Sequence, residues 1–271
     1  MDGTLKNHNI DLMDCHGQGY DNGANMKGKR KGVQARVLKE NPRAFYVPCA
    51  CHSYNLVISD AAKSSVVSVT LFGTIQRLFV LFSASVKRWE ILCKHVKGLS
   101  LKGHCETRWE SRIESLKAIK YQYSEVFNAL QELASNTNAD AAIRHEAQTL
   151  ADQIMKFDFI VALNTWYDIL FSVNYVSKSL QSKSMEMDNA IVLMDGCLKY
   201  VRDYRENGFC NAMINAKEIT SELDIPADFA AVRHRRHRRM FDYESNEVIQ
   251  ETSEQRFKRE FFLPLIDTVL V

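Results

Sequence analysis

From residue 66 onward, apolar residues recur every three or four positions, which is the spacing of one face of an α-helix. The recurrence forms three stripes, which run over Leu71–Val96, Leu116–Leu133 and Phe159–Val173. A fourth helix is expected over residues 185–206. Because each stripe needs other helices to cover it, residues 66–223 are predicted to form one helical domain, with Trp89 and Trp166 in its core.

The first 65 residues carry a different pattern, in which short β-type runs alternate with helical ones. Strands are predicted over residues 14–21 and 45–47, and helices over residues 28–39 and 51–63. The first of these helices is expected to stop before Asn41-Pro42, because Pro cannot continue a helix. This β-α-β-α order fits part of a sheet covered by helices.

The C-terminal part of the chain changes character again. Residues 224–256 are polar and rich in charge, and they are predicted to form a charged loop. Residues 257–271 return to apolar spacing and are predicted to form a C-terminal helix that is interrupted at Pro264. The predicted fold is therefore an α/β unit at residues 1–65 followed by an all-α block, mostly helical overall.

The net charge of +2 over 271 residues hides an uneven distribution. Residues 27–43 hold seven basic residues and one acid, Glu40. Residues 233–239 read Arg-His-Arg-Arg-His-Arg-Arg, and the candidate DNA contacts there are Arg235, Arg236, Arg238 and Arg239. This second run is either a nuclear-targeting and phosphate-binding patch or a solvated loop, and its density favours contact with a polyanion.

Several classes of function find no support in the sequence. No run of about 18 uncharged apolar residues occurs, so no membrane association is expected. The seven cysteines have no secreted-scaffold spacing, which favours a reducing compartment. Neither a phosphate-cradling Gly-rich loop ending in Lys-Ser/Thr nor a nucleophile elbow is present, and no small-molecule substrate is predicted.

Residues 17–26 carry the first candidate site. Asp21 stands between a Gly-flanked predicted strand and a run of small residues, so its carboxylate is expected at the C-terminal end of that strand. Such a carboxylate is suited to Mg²⁺ or Mn²⁺, which prefer oxygen ligands. The alternative is an Asp that stabilises a turn.

Two further motifs follow in the chain. Cys49 and His52, with Cys51 between them, are soft ligands at a spacing that suits zinc. The alternative is that these residues begin a helix and pack beside the site. Arg108 and Trp109 suit contact with DNA, in which the indole stacks on an extruded base and the guanidinium pairs with phosphate. The alternative for Trp109 is a core residue at a helix N-terminus.

In this order and approximate spacing, the three motifs resemble those of hAT-superfamily transposases and their domesticated relatives, in particular the zinc-finger MYM-type proteins. The resemblance covers most of the chain, although its specific motifs lie in the first 110 residues. It implies an RNase H-like catalytic core interrupted by a large helical insertion. It also implies metal-dependent DNA strand cleavage and transfer with Mg²⁺ or Mn²⁺, DNA as the partner, and a nuclear location.

Within that resemblance, Asp21 matches one catalytic carboxylate of three. The family's first Asp and its last Glu, which lies in a Ser-Glu-Arg context, have no counterpart, so the core is expected to be truncated at both ends and the chain inactive. Two alternatives come from other classes. One is a domesticated regulator that keeps DNA binding and uses the helical block for protein contacts or self-association. The other is a helical interaction scaffold with no role in nucleic-acid binding.

Overall fold

The structure is a computed structural model that describes residue 5 and residues 7–103, 109–230 and 251–270. It contains two compact units, Met1–Ile58 and Ser59–Val271. In the described residues the chain is mostly helical, with two parallel strands in the first unit. The mostly helical character predicted from the sequence is thereby confirmed.

The N-terminal unit pairs its two strands in parallel, with Gly17 opposite Phe45 and Tyr20 opposite Pro48. Two helices connect the strands, as a parallel pairing requires. In chain order the elements are β1 (Gly17–Tyr20), α1 (Ala24–Lys27), α2 (Val33–Glu40), β2 (Phe45–Pro48) and α3 (Ala50–Ala61), the last of which crosses the boundary between the units. The strand predicted from residue 14 starts later because a 3₁₀ turn occupies Leu12–Asp14.

Two buried amide side chains hold this unit together. Gln18, at the centre of β1, donates through Nε2 to the carbonyl oxygens of Ala44 (2.9 Å) and Gln34 (3.3 Å). Asn41 has no exposed surface, and its Nδ2 donates to the carbonyls of Leu12 and Cys15, each at 2.8 Å. The described part of this unit buries few large apolar side chains, and these amides supply partners to backbone groups that would otherwise be unpaired.

The second unit is built from helices. They are α4 (Val66–Ser83), α5 (Val86–His95), α6 (Trp109–Lys120), α7 (Tyr123–Ser135), α8 (Ala141–Ile154), α9 (Phe157–Leu180), α10 (Met187–Glu222), α11 (Ser253–Phe257) and α12 (Leu263–Leu270). Helix α9 is central and packs against α4, α6, α8 and α10. Its first half is buried on all sides, with Ile160, Leu163 and Trp166 at 0% exposure, which is the pattern of a core helix.

The predicted stripes differ from the observed helices in where they break. The stripe Leu71–Val96 is two helices that divide at Ala84–Ser85, and the stripe Leu116–Leu133 is also two. The second break is fixed by Gln122, whose side chain accepts from Leu99 N (2.8 Å) and donates to Leu99 O (2.7 Å). A side chain that bonds to another segment's backbone ends the helix without disturbing the apolar spacing.

Other boundaries also differ from the sequence-based prediction. Helix α8 was not predicted, because half of its buried face is alanine. Helix α10 continues to Glu222 rather than ending near residue 206. The predicted charged loop contains part of α11, which begins there because Thr252 and Gln255 form a reciprocal capping box.

The C-terminal helix passes through Pro264 without interruption, contrary to the prediction. A π-helical segment, Lys258–Phe262, precedes the proline, and Leu263 N donates to Lys258 O in the wider spacing. Pro264 has no N–H to donate to the carbonyl four residues before it. The wider π-helical turn accommodates this missing hydrogen bond, so the helix continues without a kink.

Among the described residues, α4 is one helix that is long and apolar enough to cross a membrane, by length and composition only. Core helices of soluble proteins meet the same criterion. Arg77 interrupts its apolar sequence and forms a bidentate ion pair with Glu146 of α8. On its inward side Phe72 packs edge-to-face on Trp166, with ring centroids 4.9 Å apart.

Candidate functional site

The C-terminal ends of β1 and β2 form the candidate site. The strands end opposite each other, at Tyr20 and Pro48, so the residues that follow, Asp21 and Cys49, leave the same edge of the pair. Cys49 N donates to Tyr20 O at 2.8 Å, which extends the parallel pairing to the point where both chains turn away. The sequence-based placement of Asp21 at a strand end therefore agrees with the structure.

Asp21 is exposed and has local partners. Its Oδ1 accepts from Gly23 N at 3.0 Å, an arrangement that stabilises the turn into α1. Tyr46, from β2, donates its hydroxyl to the Asp21 carbonyl at 3.3 Å. One carboxylate oxygen of Asp21 thus stabilises the turn, which is the alternative considered in the sequence analysis. The hydrogen bond from Tyr46 of β2 fixes the backbone of Asp21.

A short hydrogen-bond chain links this turn to α3. Asn22 Nδ2 donates to Ser53 Oγ (2.9 Å), and Ser53 Oγ donates to Cys49 O (3.1 Å). His52 lies half-buried beside Ser53 in the first turn of α3. Sequence analysis did not identify Asn22 and Ser53, although each is a polar residue directly beside a residue of a recognised motif.

The residues at this edge do not assemble a metal site in the part of the chain that the structure describes. No group of three or more His, Cys, Asp or Glu side chains converges there. Asp21 is a single exposed carboxylate, and Cys49 is an exposed free thiol. Neither the two-metal carboxylate cluster nor a four-ligand zinc site is therefore formed by the described residues.

The remaining predicted DNA contacts lie outside the described residues. These are Arg108, Arg235, Arg236, Arg238 and Arg239. Trp109 begins α6, but its side chain is also outside the described part. The roles assigned to these residues remain predictions.

The basic residues between Lys27 and Arg43 are fully described, and we call this stretch the cationic segment. Its seven basic side chains are all exposed. None forms an ion pair with a carboxylate of the described residues, and Arg43 instead donates through Nη2 to Met13 O (2.7 Å). Cations without counter-charges at a surface create a field that attracts polyanions.

A buried polar cluster in the helical unit was missed by sequence analysis. Lys120 of α6 donates to Asn164 Oδ1 and lies 4.0 Å from Asp168 Oδ1, with its ammonium 4.8 Å from the centre of the Tyr167 ring. Tyr204 of α10 donates to Asp168 Oδ2 at 3.0 Å. Asn164 and Asp168 are four residues apart in the most apolar stretch of the sequence, and this spacing was the available signal, since it places both on one face of the helix.

Burial governs the ionisation of this cluster. It lowers the pKa of Lys120, against the attraction of Asp168 and Glu218, and it raises the pKa of Asp168, against the attraction of Lys120 and the hydrogen bond from Tyr204. Burial, together with the charge of Asp168, also raises the pKa of Tyr200 to about 12. The cluster joins three helices, and the charge of Lys120 is compensated by Asp168 and by the more distant attraction of Glu218.

Comparison with known proteins identifies distant relatives. The chain is 24% identical over 274 residues to the human 52 kDa repressor of the inhibitor of the protein kinase, a match that covers 94% of this chain and 35% of that protein. The mouse protein of the same name is 23% identical over 279 residues, with the same coverage. The chain thus spans about a third of the length of these curated relatives. No protein-family model and no solved structure matches it.

Proposed function

We propose that this chain derives from an hAT-type transposase and acts as a DNA-binding regulator. The observation that carries the proposed origin is the position of Asp21 and Cys49 at one edge of a parallel strand pair, and the exposed cations of the cationic segment support DNA binding. Functional side chains of open α/β sheets gather at that edge, outside the carboxyl ends of the strands. The three motifs in series support the proposed origin, and the distant relation to proteins named as repressors supports a regulatory role.

The exposed side chains of β2 support a partial RNase H-like core. Phe45 and Val47 are 70% and 64% exposed, although they belong to a parallel pair, which ordinarily has both faces covered. A two-stranded sheet with one such face bare is marginal by itself. We infer that further strands extend this sheet, and that another layer of structure covers its bare face, in the active form of the lineage.

This chain alone is expected to have no nuclease or strand-transfer activity with Mg²⁺ or Mn²⁺. Two-metal phosphoryl chemistry needs several carboxylates to hold cations roughly 3.5–4 Å apart, and Asp21 has no cluster of acidic neighbours among the described residues. Supercoiled plasmid incubated with the purified chain and Mn²⁺ should stay intact. Nicking by the chain that disappears in Asp21→Ala would contradict this expectation and require a second acid.

DNA binding by the chain is expected to be independent of sequence and sensitive to salt. Replacing Arg235, Arg236, Arg238 and Arg239 with Ala should weaken binding and flatten the slope of log K against log salt, by about 0.9 for each phosphate that is no longer neutralised. Fluorescence anisotropy with a labelled duplex measures both quantities. An unchanged slope would assign this run to ordinary surface, or to the nuclear-targeting role that we also propose for it.

A protein-interaction scaffold is the second candidate, because α10 leaves an apolar stripe uncovered. Met187, Ile191 and Met194 are 76%, 51% and 42% exposed, and they are spaced by four and three residues. Helical stripes of this kind bind partner helices or a second copy of the chain. A scaffold without a role in nucleic-acid binding would show no salt-dependent affinity for DNA, which separates the two candidates.

A further inference from the structure

The centre of the cationic segment is a tight turn between two glycines. Gly28 and Gly32 enclose Lys29, Arg30 and Lys31, three consecutive cations whose side chains are all exposed. Gly32 N donates to Gly28 O at 3.0 Å, which closes the turn. We call residues 28–32 the basic turn.

Both ends of the basic turn are fixed to the unit. Gly28 N donates to Ala24 O (3.1 Å), which caps α1, and Arg36 N donates to Gly32 O (3.3 Å), at the first turn of α2. The buried side chain of Gln34 donates to Lys27 O, directly before the turn. The three cations are therefore presented from a backbone that is already ordered, which reduces the entropy cost of binding.

The glycines are required by close backbone approach and not by an unusual φ. A Cβ on Gly32 would lie 2.5 Å from Gly28 N and 2.6 Å from Gly28 O. No other residue therefore fits at position 32 while the turn keeps this closure. The sequence Gly-Lys-Arg-Lys-Gly thus encodes a compact loop whose outer surface is formed by cations.

The surroundings of the turn reinforce its charge. Arg36 and Lys39 lie three residues apart on the exposed side of α2, opposite the buried Gln34 and Val37. Glu40 is the one acid in the cationic segment, which the structure describes throughout, and it forms no ion pair there. The segment thus carries seven exposed positive charges and one exposed negative charge, and none of them forms an ion pair among the described residues.

We propose that the basic turn contacts the phosphate backbone of duplex DNA. The proposal rests on the proposed function and names a site for it that is separate from residues 235–239. An acidic protein partner is disfavoured, because protein interfaces are depleted in Lys and enriched in aromatic residues, and the cationic segment exposes no large apolar side chain. Phosphates at short, regular spacing suit three adjacent cations, and counterion release supplies the free energy.

The test compares the full chain with a triple variant, Lys29→Ala with Arg30→Ala and Lys31→Ala. A matched control removes three exposed, unpaired lysines of the helical unit, Lys87, Lys97 and Lys199, by the same substitution. Binding to a labelled duplex of about 20 base pairs is measured by anisotropy between about 50 and 200 mM NaCl. A charge-preserving variant, Lys29→Arg with Arg30→Lys and Lys31→Arg, shows whether charge alone suffices.

We expect the triple Ala variant to bind duplex DNA about tenfold more weakly than the wild type. We also expect the slope of log K against log salt to become shallower by about two to three, at about 0.9 for each phosphate contact that is lost. The lysine control and the charge-preserving variant should bind nearly as the wild type does. If the wild type binds and the Ala variant equals the lysine control, the basic turn is excluded while DNA binding stands. If the wild type itself does not bind, the proposed function fails. If polyglutamate competes as well as unlabelled duplex does, the turn recognises acidic chains in general and the assignment to DNA is overturned.

Discussion

Replacing Trp166 with Ala is expected to lower the free energy of unfolding of the helical unit by about 4 kcal/mol. Trp166 has no exposed surface and lies in the fully buried half of α9. Its ring packs edge-to-face on Phe72, and its Nε1 donates to Ser68 Oγ at 3.1 Å. The substitution would therefore leave a large cavity and would remove one of the two hydrogen bonds that the buried Ser68 hydroxyl accepts, the other coming from Ser65 Oγ at 3.0 Å.

Urea unfolding followed by circular dichroism measures this change, and two variants calibrate it. Trp166→Phe fills most of the space but removes the Nε1 donor, so its cost should be about 1–2 kcal/mol. Trp89→Ala is the second control, since Trp89 is only half-buried on α5. Equal costs for the two Ala variants would show that α9 is not the centre of the helical unit.

Apolar spacing alone predicted most of the helical unit. The stripe over Phe159–Val173 is part of α9, and of the two tryptophans expected in the core Trp166 lies there whereas Trp89 is only half-buried. The spacing of apolar residues indicates which side of a helix is covered. When two successive helices face the same neighbour, this spacing continues across the break between them. For that reason the divisions at Ala84–Ser85 and at Gln122 could not be read from the stripes. Both depend on capping groups and on side chains that bond to distant backbone.

The candidate site was predictable to a similar extent. Asp21 was expected at a strand end because a Gly-flanked β-type run precedes it, and the structure places it there. The hydrogen bond from Asn22 to Ser53 joins residues 31 positions apart, and no local pattern encodes it. The predicted roles of Arg108 and the arginines at 235–239 lie outside the described residues and stay predictions.

The Lys120–Asp168 cluster shows why buried charge escaped sequence analysis. In the sequence, Asp168 merely interrupts an apolar run, and its partner is far earlier in the chain, on another helix. In the fold the two side chains are 14% and 21% exposed, and Tyr204 donates a hydrogen bond to the carboxylate of Asp168. Such a pair contributes little more to folding stability than apolar residues of the same size would. Removing one member is nevertheless destabilising, because it leaves the other charge without a partner.

A double-mutant cycle should reveal this coupling. Lys120→Met is expected to cost about 2–3 kcal/mol, because Asp168 then stays buried without its cation. Asp168→Asn keeps an acceptor for Tyr204 and should cost less. The double variant should be more stable than the sum of the single effects predicts, by about 1 kcal/mol or more. Additive effects would mean that Lys120 interacts mainly with Asn164 and the Tyr167 ring.

The pH dependence of stability gives an independent test of the same pair. Because burial raises the pKa of Asp168 above its ordinary value of 3.8, the folded chain holds this proton to higher pH than the unfolded chain does. The stability that protonated Asp168 contributes is therefore fully present below pH 3.8, the ordinary pKa of the group. This contribution declines as pH rises through the higher pKa of Asp168 in the folded chain. Lys120→Met removes the attraction that opposes the shift, so the decline should become larger and extend to higher pH. Asp168→Asn should abolish it, and urea unfolding measured across acidic pH distinguishes the variants. A decline that persists unchanged in Asp168→Asn would assign it to another carboxylate.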